Sequence, residues 1–245
     1  MQSPRFKAQK TAFYILLTYI FVFQLSAFIL FIPGLREFIV GLIDAPAAQK
    51  GSILVAWWST IFGILSLIIC LVLVNRNKQF FNIFKGEKAS TLQAIGWGII
   101  GFFLVLLGQS IGAYIEMAIG IEAGSENTAS LTELAKLAPI MILVIAIIGP
   151  ILEELVFRRV IFGSLIQVQG FWVSTIVSAV VFAAIHFDFT HIILYTICGL
   201  IFAFLYYKTK RLLTSIVAHI LLNSFVIVVQ LNIEKLQKMV DSLPQ

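Results

Sequence analysis

Three short polar patterns interrupt otherwise apolar stretches of this chain, and each holds side chains that can move protons or stabilise charge. The first is Glu153-Glu154-x-x-x-Arg158, which follows an uncharged run from Ala138 to Leu152. The second is Phe182-x-x-x-His186, and the third places Ser215, His219 and Asn223 four residues apart. Buried carboxylates and imidazoles can be tuned to exchange protons near neutral pH, and an amide NH2 can donate to a developing oxyanion. Proton exchange and charge stabilisation are the chemistry such a set could serve.

The spacing divides the first pattern. Glu154 and Arg158 are four apart, so they share a helix face and can pair. Glu153 lies about 100° round the cylinder and is left to face a cavity. Gly149-Pro150 just upstream predicts a kink and freed backbone carbonyls, which membrane helices tolerate where they line a protein-buried or wet cavity. The plainer reading puts all these charges at the cytoplasmic headgroups. It suits Arg159, read here as a cytoplasmic anchor. It suits Glu153 poorly, because negative charge is disfavoured at a cytoplasmic helix C-terminus.

Taken alone, His186 reads equally as an interior hydrogen-bonded residue, with Phe182 one turn behind on the same face. The Ser215, His219, Asn223 stripe could be interhelical glue, although His219 and Asn223 are costly to bury without partners. His191, in a polar turn with Asp188 and Thr190, is expected to be structural or exposed.

The elements that must position these groups are set by composition. The chain has 245 residues, 60% hydrophobic and 12% charged, with mean hydropathy +1.01. A soluble domain would carry about twice that charge. Several uncharged stretches reach the roughly 20 residues needed to cross the hydrocarbon core. The short alternating segments of a β-barrel are absent. The fold class is therefore all-α: a polytopic transmembrane helical bundle. Seven spans are expected, at about 11–32, 53–74, 92–118, 137–162, 171–187, 191–207 and 212–232.

Sorting the loops by charge puts twelve basic residues on one side (Arg5, Lys7, Lys10, Arg76, Lys78, Lys85, Lys88, Arg158, Arg159, Lys208, Lys210 and Arg211) and five on the other (Arg36, Lys50, Lys136, Lys235 and Lys238). The positive-inside rule then predicts a cytoplasmic N-terminus in a cell-membrane protein. The net charge of +5 reports topology and not nucleic-acid binding. Residues 1–136 are expected to be N-terminal membrane helices with a polar outer loop. Residues 137–245 are expected to be the helical bundle that carries the three polar patterns, the two forming one membrane domain. Between spans two and three, residues 77–85 interleave aromatics with lysines, as an interfacial segment or a loop with membrane-facing aromatics would. Gly108 and Gly112 form a small-xxx-small pair for close helix packing. Cys70 and Cys198 lie in apolar runs and read as buried hydrophobes.

A depth count at 1.5 Å per residue puts Glu153 about 15 Å, His219 about 12 Å and Asn223 about 18 Å from the cytoplasmic reference level. His186 comes out at about 24 Å, which requires its helix to tilt or begin later.

The ordered set Glu153-Glu154-x-x-x-Arg158, Phe182-x-x-x-His186 and His219-x-x-x-Asn223 on successive late spans resembles the CPBP family of intramembrane proteases. That family includes the CAAX prenyl endopeptidases of the Rce1 type, the bacterial Abi proteins and bacteriocin-immunity relatives. The resemblance covers residues of about 137–232. It implies that the 137–245 bundle is the catalytic part of an endopeptidase acting on a membrane-associated or lipid-modified protein or peptide. Glu153 would be the general base, His186 would help activate water, and His219 and Asn223 would polarise the substrate carbonyl and hold its oxyanion. Glu154, Arg158 and Phe182 would support them. Where many bacterial members have glycine after the motif arginine, this chain has Arg159. A metal-free glutamate mechanism is preferred, the alternative being zinc held by Glu153, His186 and His219. The alternative from another class is a non-catalytic membrane immunity or regulatory protein on the same fold. A proton-coupled transporter is disfavoured, because paired broken helices and inverted repeats are lacking.

Overall fold

In the computed structural model the described residues are 4–242, with side chains described from Ala8 onward. Arg5 and Lys7 of the predicted basic set lie outside the described side chains. Every regular element is helical. The chain begins with α1 (Pro4–Leu17), which runs on through π-helical turns (Thr18–Gln24) and a 3-10 stretch (Ser26–Phe31). Next come α2 (Leu35–Gly41), α3 (Ala47–Asn75), α4 (Thr91–Ala118) and α5 (Glu126–Leu137). The helix α6 covers residues 141–165 and alternates α-helical and π-helical turns. It is followed by α7 (Phe171–Ala184), α8 (Ile192–Thr209), α9 (Leu212–Leu231) and the terminal α10 (Ile233–Asp241).

Among the described residues four helices are individually long and apolar enough to cross a membrane: Ala47–Asn75, Thr91–Ala118, Phe189–Thr209 (α8 with the 3-10 turn before it) and Leu212–Leu231. The fifth predicted span ends at Ala184, short of 187, so α7 is about 21 Å long and less than the hydrocarbon thickness. The first and fourth predicted spans are broken by non-α turns. Many large apolar side chains on α3, α4 and α7 stay exposed, as a lipid-facing surface requires.

Two contacts at glycine draw the late helices together. A Cβ on Gly112 would lie 2.9 Å from the Leu194 Cα, and one on Gly108 would lie 2.5 Å from Ile201, so the small-xxx-small pair of α4 seats α8. On its other side α8 presents Gly199, where a Cβ would lie 2.8 Å from the Ala179 Cα, and α7 packs there. The start of α4 is fixed by a capping box between Ser90 and Gln93. The polar loop expected within residues 1–136 is largely helical, with Ser125 capping α5. Cys70 and Cys198 are free and buried, as expected.

The reading of Arg159 as a headgroup anchor is overturned, and aromatics of residues 77–85 turn inward. Phe80 is fully buried, and Phe84 packs edge-on against Tyr206 at 5.1 Å. Arg159 is 2% exposed and donates from both Nε and Nη2 to the Phe80 carbonyl, with its guanidinium 3.9 Å above the Phe80 ring. Arg159 therefore pins the 77–88 loop to α6. A planar cation that meets a carbonyl and a ring face together is better satisfied inside than at a headgroup.

Candidate active site

The helix α6 carries the two glutamates, and its local geometry follows from Gly149-Pro150. The Gly149 N–H reaches back five residues to the Val144 carbonyl, so residues Val144–Ile148 form a π turn. In that register the next donor, for Ile145, would belong to residue 150, and proline has none. The predicted freed carbonyl is therefore that of Ile145. Asn223 Nδ2 from α9 donates to it at 3.0 Å. A second π-helical stretch, Glu154–Phe162, follows at once. Such bulges concentrate at functional sites.

The Glu154–Arg158 pair forms as the spacing predicts. Arg158 Nε is 3.3 Å from Glu154 Oε2, and both side chains are fully buried. Arg158 also lies between two rings, 4.3 Å from the Phe182 centroid and 5.0 Å from that of Phe202, and its Nη2 donates to the Gly199 carbonyl. So many partners are what a buried cation needs, since an unmatched one costs several kcal/mol or about that order. Phe182 is thus the floor under Arg158, and its ring also meets both histidines, His186 at 4.8 Å and His219 at 5.7 Å.

Spacing did not foresee the other partner of Glu154. His219 Nδ1 donates to Glu154 Oε1 at 3.0 Å, while the ring stacks on Phe202 at 4.5 Å. The opposite ring nitrogen, Nε2, points towards Glu153, 3.7 Å from its Oε2. That Glu153 oxygen is buried and has no hydrogen-bond partner among the described residues. The two adjacent glutamates accordingly have different surroundings: Glu154 is hydrogen-bonded to His219 through Oε1 and ion-paired with Arg158 through Oε2, whereas Glu153 has only the 3.7 Å approach to His219.

His186 falls just beyond α7, where its N–H bonds to Ala183 in a tightened last turn. Its Nδ1 donates to the Phe182 carbonyl at 2.8 Å, which leaves Nε2 as the ring's acceptor. His186 thus sits in the turn that closes α7, and the Phe182 ring that it meets is the one that also meets His219. A residue missed from sequence, Tyr195, stacks on the His186 ring at 4.1 Å, and its hydroxyl is 2.9 Å from Ser125 Oγ. No periodicity links Tyr195 to His186, because a turn separates them. Nearby, His191 is structural. Its two ring nitrogens face Glu116 Oε2 at 2.8 Å and the Gly124 carbonyl at 2.7 Å, clamping the loop after α4 to the head of α8. Glu116, buried near the C-terminal end of α4, was also missed.

A zinc ion sits about 2.0–2.2 Å from each nitrogen or oxygen ligand. Among the described residues no three His, Cys, Asp or Glu groups are gathered to hold a metal ion, so Glu153, His186 and His219 are not arranged as that ligand set.

The fold and this centre define a class: a multi-pass helical membrane protein with a buried glutamate–histidine cluster. Its particular relatives narrow that class. A family model described as Type II CAAX prenyl endopeptidase Rce1-like matches residues 135–225, which contain all three patterns. The chain is 36% identical over 224 residues to the putative membrane peptidase YdiL of Bacillus subtilis (strain 168), covering 91% of this chain and 90% of that protein. It is 38% identical over 186 residues to the membrane-embedded CAAX protease MroQ of Staphylococcus aureus (strain USA300), covering 71% and 75%. No solved structure matches it. The chain belongs to the CAAX, or CPBP, family of intramembrane proteases and is a hydrolase of that type.

Proposed function

We propose that the protein is an endopeptidase that cleaves membrane-associated or lipid-modified proteins with a water activated by Glu153 and His186. The observation that carries this reading is the unpartnered Glu153 Oε2, buried beside an imidazole nitrogen at 3.7 Å. Glu153 takes one proton from water while His186 Nε2 accepts a hydrogen bond from it. The water oxygen adds to the peptide carbonyl carbon. The oxyanion is met by His219 Nε2–H and by the second N–H of the Asn223 amide. Glu154 supports this arrangement by holding His219 Nδ1 at 3.0 Å, which turns Nε2 towards the site. Glu153 then passes its proton to the leaving amine as the C–N bond breaks, yielding an acid and an amine. The basic flank with Arg76, Lys78 and Lys208 is assigned to the cytoplasmic side, which makes the N-terminus cytoplasmic.

Comparing membrane proteomes of cells making wild type or Glu153→Gln protein tests the reading. A fragment present with wild type and lost with both Glu153→Gln and His186→Ala supports it. Proteolysis unchanged in either variant defeats it. A protective or regulatory effect that survives Glu153→Gln would instead indicate the immunity-type role. Cleavage of the same substrate should also persist after tight chelation of the purified protein. Stoichiometric zinc that is required for turnover would overturn the metal-free step.

A further inference from the structure

Pro150 has no polar side chain to act on a substrate, yet its missing N–H has a definite consequence on α9. A buried carbonyl without a donor is costly, so the Ile145 oxygen must be satisfied from outside its own helix. Asn223 Nδ2 supplies that bond at 3.0 Å from a neighbouring helix. An amide can face a carbonyl only with its NH2, so this contact also fixes which way round the Asn223 side chain sits. One N–H is spent on Ile145, and the other is held in a set direction. Had residue 150 carried an N–H, the Ile145 carbonyl would bond within α6 and the Asn223 amide would be free to rotate.

We propose that Pro150 is a positioning residue for Asn223: by removing the backbone donor for Ile145, it makes that carbonyl the anchor that aims the Asn223 amide into the site. The catalytic consequence rests on the reading of Asn223 as an oxyanion donor, whereas the anchoring does not. The same arrangement explains why a proline is useful within a buried helix, where it would otherwise only weaken the structure. It also makes Gly149 part of the device. A Cβ there would come 3.0 Å from the Val144 carbonyl, the acceptor that defines the π turn.

The anchoring is tested by thermal unfolding of the purified full-length protein in one detergent, as a four-membered cycle of wild type, Asn223→Ala, Pro150→Ala and the double variant. In wild type, Asn223→Ala strands the carbonyl and should lower Tm by roughly 2–12 °C. In the Pro150→Ala background the new N–H at 150 serves Ile145, and the Asn223→Ala decrement should nearly vanish. Equal decrements in both backgrounds overturn the proposal. Asn223→Asp removes the donor at unchanged size and keeps Pro150, which guards against a misfolded Pro150→Ala protein. A wild-type Tm in Asn223→Asp and Asn223→Ala alike also overturns it.

Turnover of the fragment found in the proteome comparison tests the catalytic half. Asn223→Ala should reduce kcat about 10²–10³-fold, and Pro150→Ala by up to about 10²-fold at unchanged KM. The two losses should not multiply in the double variant. Full kcat in Asn223→Ala would sink the oxyanion reading while the Tm cycle still decides the anchoring. Multiplying losses would sink the link between Pro150 and catalysis.

Discussion

Replacing Glu154 by glutamine should damage folding, whereas the same change at Glu153 should damage only chemistry. Glu154 Oε2 lies 3.3 Å from Arg158 Nε with both side chains fully buried. At an effective dielectric of about 20, that separation corresponds to about 5 kcal/mol of attraction. Breaking a buried pair by removing one partner costs about 3–5 kcal/mol, because the other charge is stranded. The Phe182 and Phe202 faces and the Gly199 carbonyl remain, and they soften the loss without replacing a charge. For a chain of this length each kcal/mol moves Tm by about 2–4 °C, so Glu154→Gln should lower Tm by roughly 6–20 °C. Glu153 has no contact with Arg158 of this kind, and its nearest ionic neighbour is His219 at 3.7 Å. Neutralising it should change stability by no more than about 1 kcal/mol, or raise it, since a partly buried carboxylate with no hydrogen-bond partner on Oε2 is removed.

Thermal unfolding followed by tryptophan fluorescence in one detergent gives both values, with cleavage measured on the same samples. A third variant sharpens the comparison. Glu154→Gln combined with Arg158→Met removes the stranded charge and should recover part of the lost stability. Equal Tm losses for the two single variants, or a Glu154→Gln protein within about 2 °C of wild type, would refute the division of labour.

Arg159→Lys should destabilise the protein by about 1–3 kcal/mol and expose Lys78 or Lys85 to trypsin, because an ammonium cannot supply the two-nitrogen fork and planar face that hold Phe80. A residue that merely anchored at headgroups would tolerate the change. Tyr195→Phe keeps the stack on His186 but loses the bond to Ser125. Hydrogen exchange should quicken across residues 119–128 at a cost of about 0.5–1.5 kcal/mol, with the remaining helices unaffected. Gly199→Val should push α7 away from α8 and lower both Tm and cleavage, by about 1–3 kcal/mol in stability. A fully active Gly199→Val protein would show that this close approach does not matter.

The sequence by itself determined the class of fold, the membrane setting and the identity of the polar groups. Hydropathy and helical spacing are local properties, and they placed Glu154 on the face of Arg158, Phe182 under His186, and Gly108 with Gly112 at a helix contact. They also placed a freed carbonyl near Gly149-Pro150. Only the tertiary structure decided which groups meet. That Ile145 gives the carbonyl and Asn223 takes it depends on the register between α6 and α9. That His219 leans on Glu154 depends on the same register. That His186 shares the Phe182 ring with His219 depends on how α7 and α9 pack, which no count along one helix reveals. Arg159 was misread for a related reason. A charge counted at a helix end looks like a headgroup anchor, and nothing in its own neighbourhood shows that a loop 79 residues earlier folds back to offer it a carbonyl and a ring. Tyr195 and Glu116 were invisible because their partners come from other helices. What makes Glu153 the residue to test is that its neighbour's charge is already spent, and that is settled between helices.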